Sequence, residues 1–296
     1  MNKQIYISIG ISFFNDEKYL EDAICSVLAQ THPYWELILI DDGSTDRSLE
    51  IAKSYEEKDS RIRVLSDGEN KRLAARLNQV ILASKYDYIA RMDADDLMSN
   101  DRLEKQLNIL EKNSAIDLVT TGCLTIGEDN ELTGVRLGKN YQMDAEMILN
   151  GLTNLLHASL LARKSWCVRN KYNENRVIAQ DFELWLKSAK NNDLNYIVIE
   201  EPLYWYRVAE NVTITKLIKG YNTQIEVINN SYKDVITKSK KNKIINKFQL
   251  KKLIVKSLNK FGLLKLLLLL RSDKYSQEDL DYYKKNIIEI KKMRVL

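Results

Sequence analysis

Arg91-Met92-Asp93-Ala94-Asp95-Asp96 sets three carboxylates within four positions, directly behind the apolar, strand-like run Tyr86-Asp87-Tyr88-Ile89-Ala90. Carboxylates that close repel one another unless a cation sits among them. A hard divalent metal, Mg2+ or Mn2+, is the usual answer, because it favours carboxylate oxygens and is often held by one or two of them together with substrate phosphates. The pattern therefore points to a nucleotide diphosphate. The same residues also suit a solvated acidic turn capping the next helix, with Asp96 or Asn100 as N-cap and Asp101 near the positive end of the helix dipole. A second cluster, Asp41-Asp42-Gly43-Ser44-Thr45-Asp46, reads as a turn in which Ser44 or Thr45 caps the following helix. Turn chemistry alone does not require two carboxylates at a strand end.

The elements that must carry these clusters show in the apolar periodicity. Ile5 to Phe14, Trp35 to Ile40, Arg61 to Leu65, Tyr86 to Met92 and Ile116 to Thr121 read as buried strands. Between them, Asp16 to Gln30, Asp46 to Glu57 and Lys71 to Ser84 have helical apolar spacing, the first placing Leu20, Ala23, Ile24, Val27 and Leu28 on one face. Alternating strands and helices predict a doubly wound, mostly parallel α/β sheet flanked by helices. Ligands bind such sheets beyond the carboxyl ends of the strands. Phe14-Asn15-Asp16, Asp41-Asp42 and Asp93-Ala94-Asp95 each follow a strand, so they are expected along one edge.

At 296 residues and 45% hydrophobic, the chain has ample material for a large core. Cys25, Cys123 and Cys167 are odd in number and widely spaced, which suggests neither a disulfide framework nor a zinc site. Free thiols and an N-terminus without signal-peptide features predict a cytoplasmic protein. The net charge of +4 hides an asymmetry: residues 216–296 hold 20 Lys and Arg against 7 Asp and Glu, a net of +13, and the preceding region nets −9. An acidic body argues against a nucleic-acid-binding core, whereas a basic tail suits either nucleic acid or an anionic membrane surface; no nucleic-acid partner is expected for the chain. The expected division is a catalytic α/β domain at 1–215 and a basic helical appendage at 216–296.

With these residues in place, the chain resembles glycosyltransferase family 2, whose members have a Rossmann-like GT-A fold. The resemblance rests on Ser8 to Asn15, Ala23 to Thr31, Trp35 to Asp46 and Ala90 to Asp96, with Gln180-Asp181-Phe182-Glu183-Leu184-Trp185-Leu186 similar to the family's second carboxylate motif. It spans roughly residues 5 to 208. It implies that Phe14 stacks on a nucleobase, that Asp42 accepts a hydrogen bond from an imide N–H such as that of uracil, and that Asp41 supports the same edge. The implied donor is a UDP-sugar. By the same resemblance Asp95 binds Mn2+ or Mg2+ directly, and Asp93 meets the ribose or the waters of the metal. Lys71, Arg72 or Arg76 would face the phosphates, or simply be exposed helix cations.

Asp181 matches the base of a single inverting displacement, although Gln180 stands where the family usually has Glu. Asp181 also suits a cap on the helix Phe182 to Ala189. His157 corresponds to a histidine that would touch metal, diphosphate or acceptor, or else be a satisfied core residue. Trp166, Trp185 and Trp205 could form a platform for an acceptor sugar, although Trp185 lies at helical spacing from Phe182 and equally suits the core.

Processive relatives carry Gln-x-x-Arg-Trp and several membrane spans, whereas this chain has Leu203-Tyr204-Trp205-Tyr206-Arg207, and its apolar run Phe261 to Leu270 is far shorter than the roughly 20 residues a span needs. The resemblance therefore implies a non-processive hexosyl- or N-acetylhexosaminyltransferase. Its acceptor would be a saccharide or polyprenyl-linked saccharide of bacterial surface glycan synthesis such as capsule or lipopolysaccharide. The basic tail would either lie on the inner face of the cell membrane or pack its leucines on the body or another subunit. Absence of GxGxxG after the first strand excludes a dinucleotide dehydrogenase. A nucleotidyltransferase, or a non-catalytic membrane scaffold, remains the alternative.

Overall fold

A computed structural model describes residues 4–208, 213–231, 233, 235–263 and 272–294. The first half alternates β1 (Ile7–Phe13), α1 (Leu20–Leu28), β2 (Trp35–Asp41), α2 (Ser48–Glu56), β3 (Ile62–Ser66), α3 (Arg72–Ala83) and β4 (Tyr88–Asp93). These four strands are parallel in the order β3-β2-β1-β4, with Phe13 paired to Asp41 and Ser12 to Asp93. That register sets the ends of β1, β2 and β4 side by side.

The apolar runs are continuous because both faces of the sheet are covered. Along β2, Leu37 and Leu39 join a core with α1, α2 and α4 (Arg102–Lys112), whereas Ile38 and Ile40 point the other way into a core with α3. Helix α3 lies so close to β1 that a Cβ on Gly10 would come within 2.3 Å of a Val80 methyl carbon, which accounts for glycine in mid-strand.

Beyond β4 the sheet becomes mixed. Short β8 (Leu161–Arg163) runs antiparallel to β4, then come β6 (Leu118–Ile126), β9 (Tyr196–Arg207) and β5 (Leu97–Met98), with β7 (Leu132–Arg136) on β6. Three residues of strand give no periodic signal, so β8 is not visible in the sequence. Helices α5 (Ala145–Leu149), α6 (Lys164–Arg169) and α7 (Gln180–Lys190) close this half.

Three expected helix starts differ. Residues 16–19 form a turn, and α1 begins at Leu20. Helix α4 starts after Asp101, not after Asp96 or Asn100, because Asp96 is drawn into the core. Helix α2 follows Arg47 rather than Ser44 or Thr45, and Asp46 receives the Ser48 amide at 3.0 Å.

In the tail, α8 (Ile214–Ser231) and α9 (Lys238–Lys260) lie against each other and share the α3 core. The expected boundary at 215/216 falls in the first turn of α8. The C-terminal helix (Gln277–Lys292) packs on α1, with Tyr283 and Ile290 buried and Arg294 bound to Asp22 at 2.7 Å. Among the described residues no helix is long and apolar enough to cross a membrane. Most of the run Phe261 to Leu270 lies outside the described residues.

Candidate active site

The loops after β1 and β2 are stitched into one edge. Asn15, in the left-handed region at φ 55°, donates its amide to Ser44 Oγ at 3.1 Å and accepts from the Thr45 amide at 2.8 Å. Asp16 donates its amide to Ser48 Oγ at 2.8 Å. Buried Asp41 braces the β2 turn, accepting from the Ser44 amide at 2.9 Å and from Ser66 Oγ at 2.8 Å. Phe14, in contrast, is 45% exposed.

Asp42 faces the start of α3. Its Oδ1 accepts from the Lys71 amide at 2.7 Å and from Arg76 Nε at 2.8 Å, and the Arg72 amide lies 3.1 Å from each oxygen. Among the described residues Oδ2 has no other donor. Arg76 is fully buried and also pairs with Asp67 at 2.7 Å, so it is no exposed helix cation and its charge is held within the protein. Lys71 pairs with Asp67 and Glu69. That leaves Arg72, which is exposed, has φ 70° and makes no ion pair among the described residues, as the free cation on this edge.

The acidic loop after β4 is held from behind by the end of β9. The Asp93 amide donates to Tyr204 Oη at 3.1 Å, and that hydroxyl donates to Asp96 Oδ2 at 2.7 Å. Arg207 gives its amide to Asp96 Oδ1 at 2.7 Å and its guanidinium to the Asp95 carbonyl at 2.6 Å, with further bonds to Gly127 O and Asn130 Oδ1. Asp96 is therefore an internal anchor, while Asp93 and Asp95 remain at the surface of the edge. Arg91, nearly buried, binds Asp93 Oδ1, and its Nε has no partner among the described residues.

Electrostatics shows which distant residues meet here. Burial, with Asp93 and then Asp16 nearby, pushes the Asp95 carboxyl up to about 6. Burial also raises Asp16, reinforced by Asp46 and Asp93 against a bond from the Phe14 amide. Asp181 is raised by burial and by Asp93, opposed by the Phe182 amide and by Arg91. The charge of Asp93 is thus felt by carboxylates of the β1 loop, of its own loop and of α7. Asp181 is the second residue of α7, whose N-cap is Ala179 in the left-handed region with no side-chain capping bond, so capping is not its role.

His157 lies in a single 3-10 turn, His157–Ser159, against β4. Its Nε2 is 2.7 Å from Tyr172 Oη, its ring meets Trp185 edge-on, and burial with Arg91 nearby drives it well below the usual imidazole range. It is neutral at pH 7. The tryptophans make no platform: Trp166, Trp185 and Trp205 are 1%, 2% and 0% exposed, the first two stacked on each other and the third tilted against the Tyr283 ring. Periodicity could not separate a surface aromatic from a core one here.

Among the described residues no group of three or more His, Cys, Asp or Glu side chains is arranged to hold a metal ion. The donor set still suits a hard cation: Asp93 and Asp95 offer oxygens, and their mutual repulsion leaves a deficit of positive charge that a divalent ion would relieve. The structural roles of Arg91, Tyr204 and Arg207 carry no clear sequence motif. Their one local signal is a cation closing each aromatic or apolar run, Arg91 after Tyr86 to Ala90 and Arg207 after Leu203 to Tyr206, where burial calls for a partner.

The sequence signature described as Glycosyl transferase family 2 matches residues 8–166. The chain belongs to glycosyltransferase family 2. It is 36% identical over 211 residues to the putative glycosyltransferase EpsE of Bacillus subtilis, covering 70% of this chain and 74% of that one. The fold is shared with S. aureus TarS 1-349 in complex with UDP-GlcNAc, at TM-score 0.60 and 17% identity over 98% of this chain and 82% of that one. It is shared as well with the mannosyltransferase PcManGT of Pyrobaculum calidifontis in complex with GDP-Man and Mn2+, at TM-score 0.60 and 13% identity over 97% and 86%. Membership of the family makes this chain a glycosyltransferase enzyme and sets aside the nucleotidyltransferase and scaffold readings. The GT-A architecture is that of both structural neighbours.

Proposed function

We propose that this glycosyltransferase moves one sugar, with inversion and without processivity, from a UDP-sugar to a saccharide or polyprenyl-linked saccharide in bacterial surface glycan synthesis. The observation that supports the reading is electrostatic: the charge of Asp93 raises both Asp95 and the half-buried Asp181, as expected if the three carboxylates serve one site. Residues 1–215 would hold the whole of this machinery. The relatives solved with UDP-GlcNAc and with GDP-Man and Mn2+ support a nucleotide-sugar donor and a divalent ion.

Each residue has a task that its surroundings allow. The exposed face of Phe14 stacks on the base. Asp42 Oδ2 accepts an imide N–H, which favours uracil, while Arg76 and two amides hold that carboxylate in place. Arg72 brings an unpaired cation to the diphosphate. Asp95, with Asp93 beside it, would hold Mn2+ or Mg2+, which when bound offsets charge on the departing diphosphate. His157 is buried with its Nε2 engaged by Tyr172 Oη, so its role here is structural. Asp181 takes the proton of the acceptor hydroxyl as its oxygen attacks the anomeric carbon, and burial makes it a stronger base than a surface carboxylate.

A screen of nucleotide sugars with Mn2+ or Mg2+, following nucleoside diphosphate release and donor binding, tests the reading. Release from a UDP-sugar that vanishes in Asp95→Asn is expected. Failure of every donor to bind or react would overturn it.

A further inference from the structure

Helix α9 turns one face to the protein and the opposite face to water. Ile244, Phe248 and Val255 are buried, Phe248 against Gly151 and the Tyr221 ring. On the far side Leu250, Leu253, Ile254 and Phe261 are 57%, 61%, 46% and 71% exposed. At about 100° per residue these four fall in a sector roughly 100° wide, centred opposite Phe248. An apolar stripe left in water calls for a partner.

The charge of the helix names the partner. Helix α9 has nine lysines and no acidic residue. Lys243, Lys256 and Lys260 are exposed and make no ion pair among the described residues. A second copy of the chain seated on this stripe would set like charge against like across a two-fold interface. A nucleic acid would engage the lysines but leave the leucines in water. A leucine stripe flanked by lysines matches a helix lying in a lipid interface, apolar side chains at the acyl boundary and ammonium groups on headgroup phosphates.

We infer that the outward face of α9 docks on an anionic phospholipid bilayer. The surface is rigidly tied to the catalytic domain: Lys240 pairs with Glu146 at 2.8 Å, and Lys247 donates to Asn150 O at 3.2 Å. In the adjoining α8, Glu226 holds Arg176 at 2.8 Å, and Arg176 binds Glu183, two residues from Asp181. Docking of α9 would therefore fix the helix that carries Asp181 relative to the membrane. The inference does not depend on the donor or the chemistry proposed above.

The test is sedimentation of the full chain with vesicles of phosphatidylcholine alone or with phosphatidylglycerol added. Binding is expected only to the anionic vesicles, and salt should weaken it. The triple variant Lys243→Gln, Lys256→Gln, Lys260→Gln should lower partitioning by roughly 100-fold, about fivefold per lysine. The variant Leu250→Ser, Leu253→Ser, Ile254→Ser should lose vesicle binding with its circular dichroism and family-typical donor binding unchanged, since these side chains are exposed. Absence of binding to anionic vesicles at low salt would overturn the inference. So would binding that the leucine variant leaves intact, which is the behaviour of a plain polyanion site, or a dimer that the leucine variant dissolves.

Discussion

The main-chain N–H of Arg207 donates to Asp96 at 2.7 Å, and through that bond the last residue of β9 secures the loop that follows β4. The guanidinium completes the grip on the Asp95 carbonyl, Gly127 and Asn130 and lies 4.2 Å over the Tyr19 ring. Acidic loops at strand ends are open and self-repelling, so their geometry depends on such anchors.

Arg207→Ala should therefore act twice. It leaves several buried acceptors unpaired, for a loss of about 3 kcal/mol seen as a lowered Tm. It also loosens Asp95, so donor binding with Mn2+ should weaken beyond what the stability change explains, measured by calorimetric titration at a temperature where the variant is folded.

Asp181→Asn separates binding from chemistry. Loss of a positioned base lowers kcat by about 100- to 10,000-fold with donor affinity held within about threefold. An unchanged kcat would remove Asp181 from the reaction.

The raised Asp95 carboxyl gives a pH signature. Its proton is bound more tightly in the folded chain than in the unfolded one, so without metal this group's contribution favours folding at low pH and is lost as pH rises through about 6. A divalent ion competes with that proton and relieves the repulsion. The rise in Tm on adding Mn2+ should be larger at pH 7.5 than at pH 5.5, and Asp95→Asn should erase the difference. Thermal melts with and without Mn2+ at both pH values are the check.

Phe14→Ala removes an exposed ring, so Tm should barely move. Base stacking on an aromatic face is worth about 1–3 kcal/mol, so affinity for the nucleoside diphosphate alone should fall by about 5- to 150-fold. Equal affinity in wild type and variant would place the base elsewhere.

Much of the edge was legible in advance. Buried parallel strands are continuous apolar runs, and β1, β2, β3 and β4 appear within a few residues of the segments marked by hydrophobicity. Since side-by-side parallel strands end together, Phe14, Asp42 and Asp93 could be placed on one edge before any coordinates. The mixed half was not legible in this way, because β8 and β5 are too short for a period to develop.

The sequence by itself determined which residue types stand at the strand ends, the family, and the charge asymmetry of the two regions, because these follow from local pattern and order. Only the tertiary structure decided what each charged or aromatic side chain faces. Burial and pairing depend on segments far away in the chain: Arg76 is enclosed between Asp42 and Asp67, Asp96 is claimed by Tyr204 and Arg207, the tryptophans are core, and α9 with its C-cap Phe261 keeps four large apolar side chains in water.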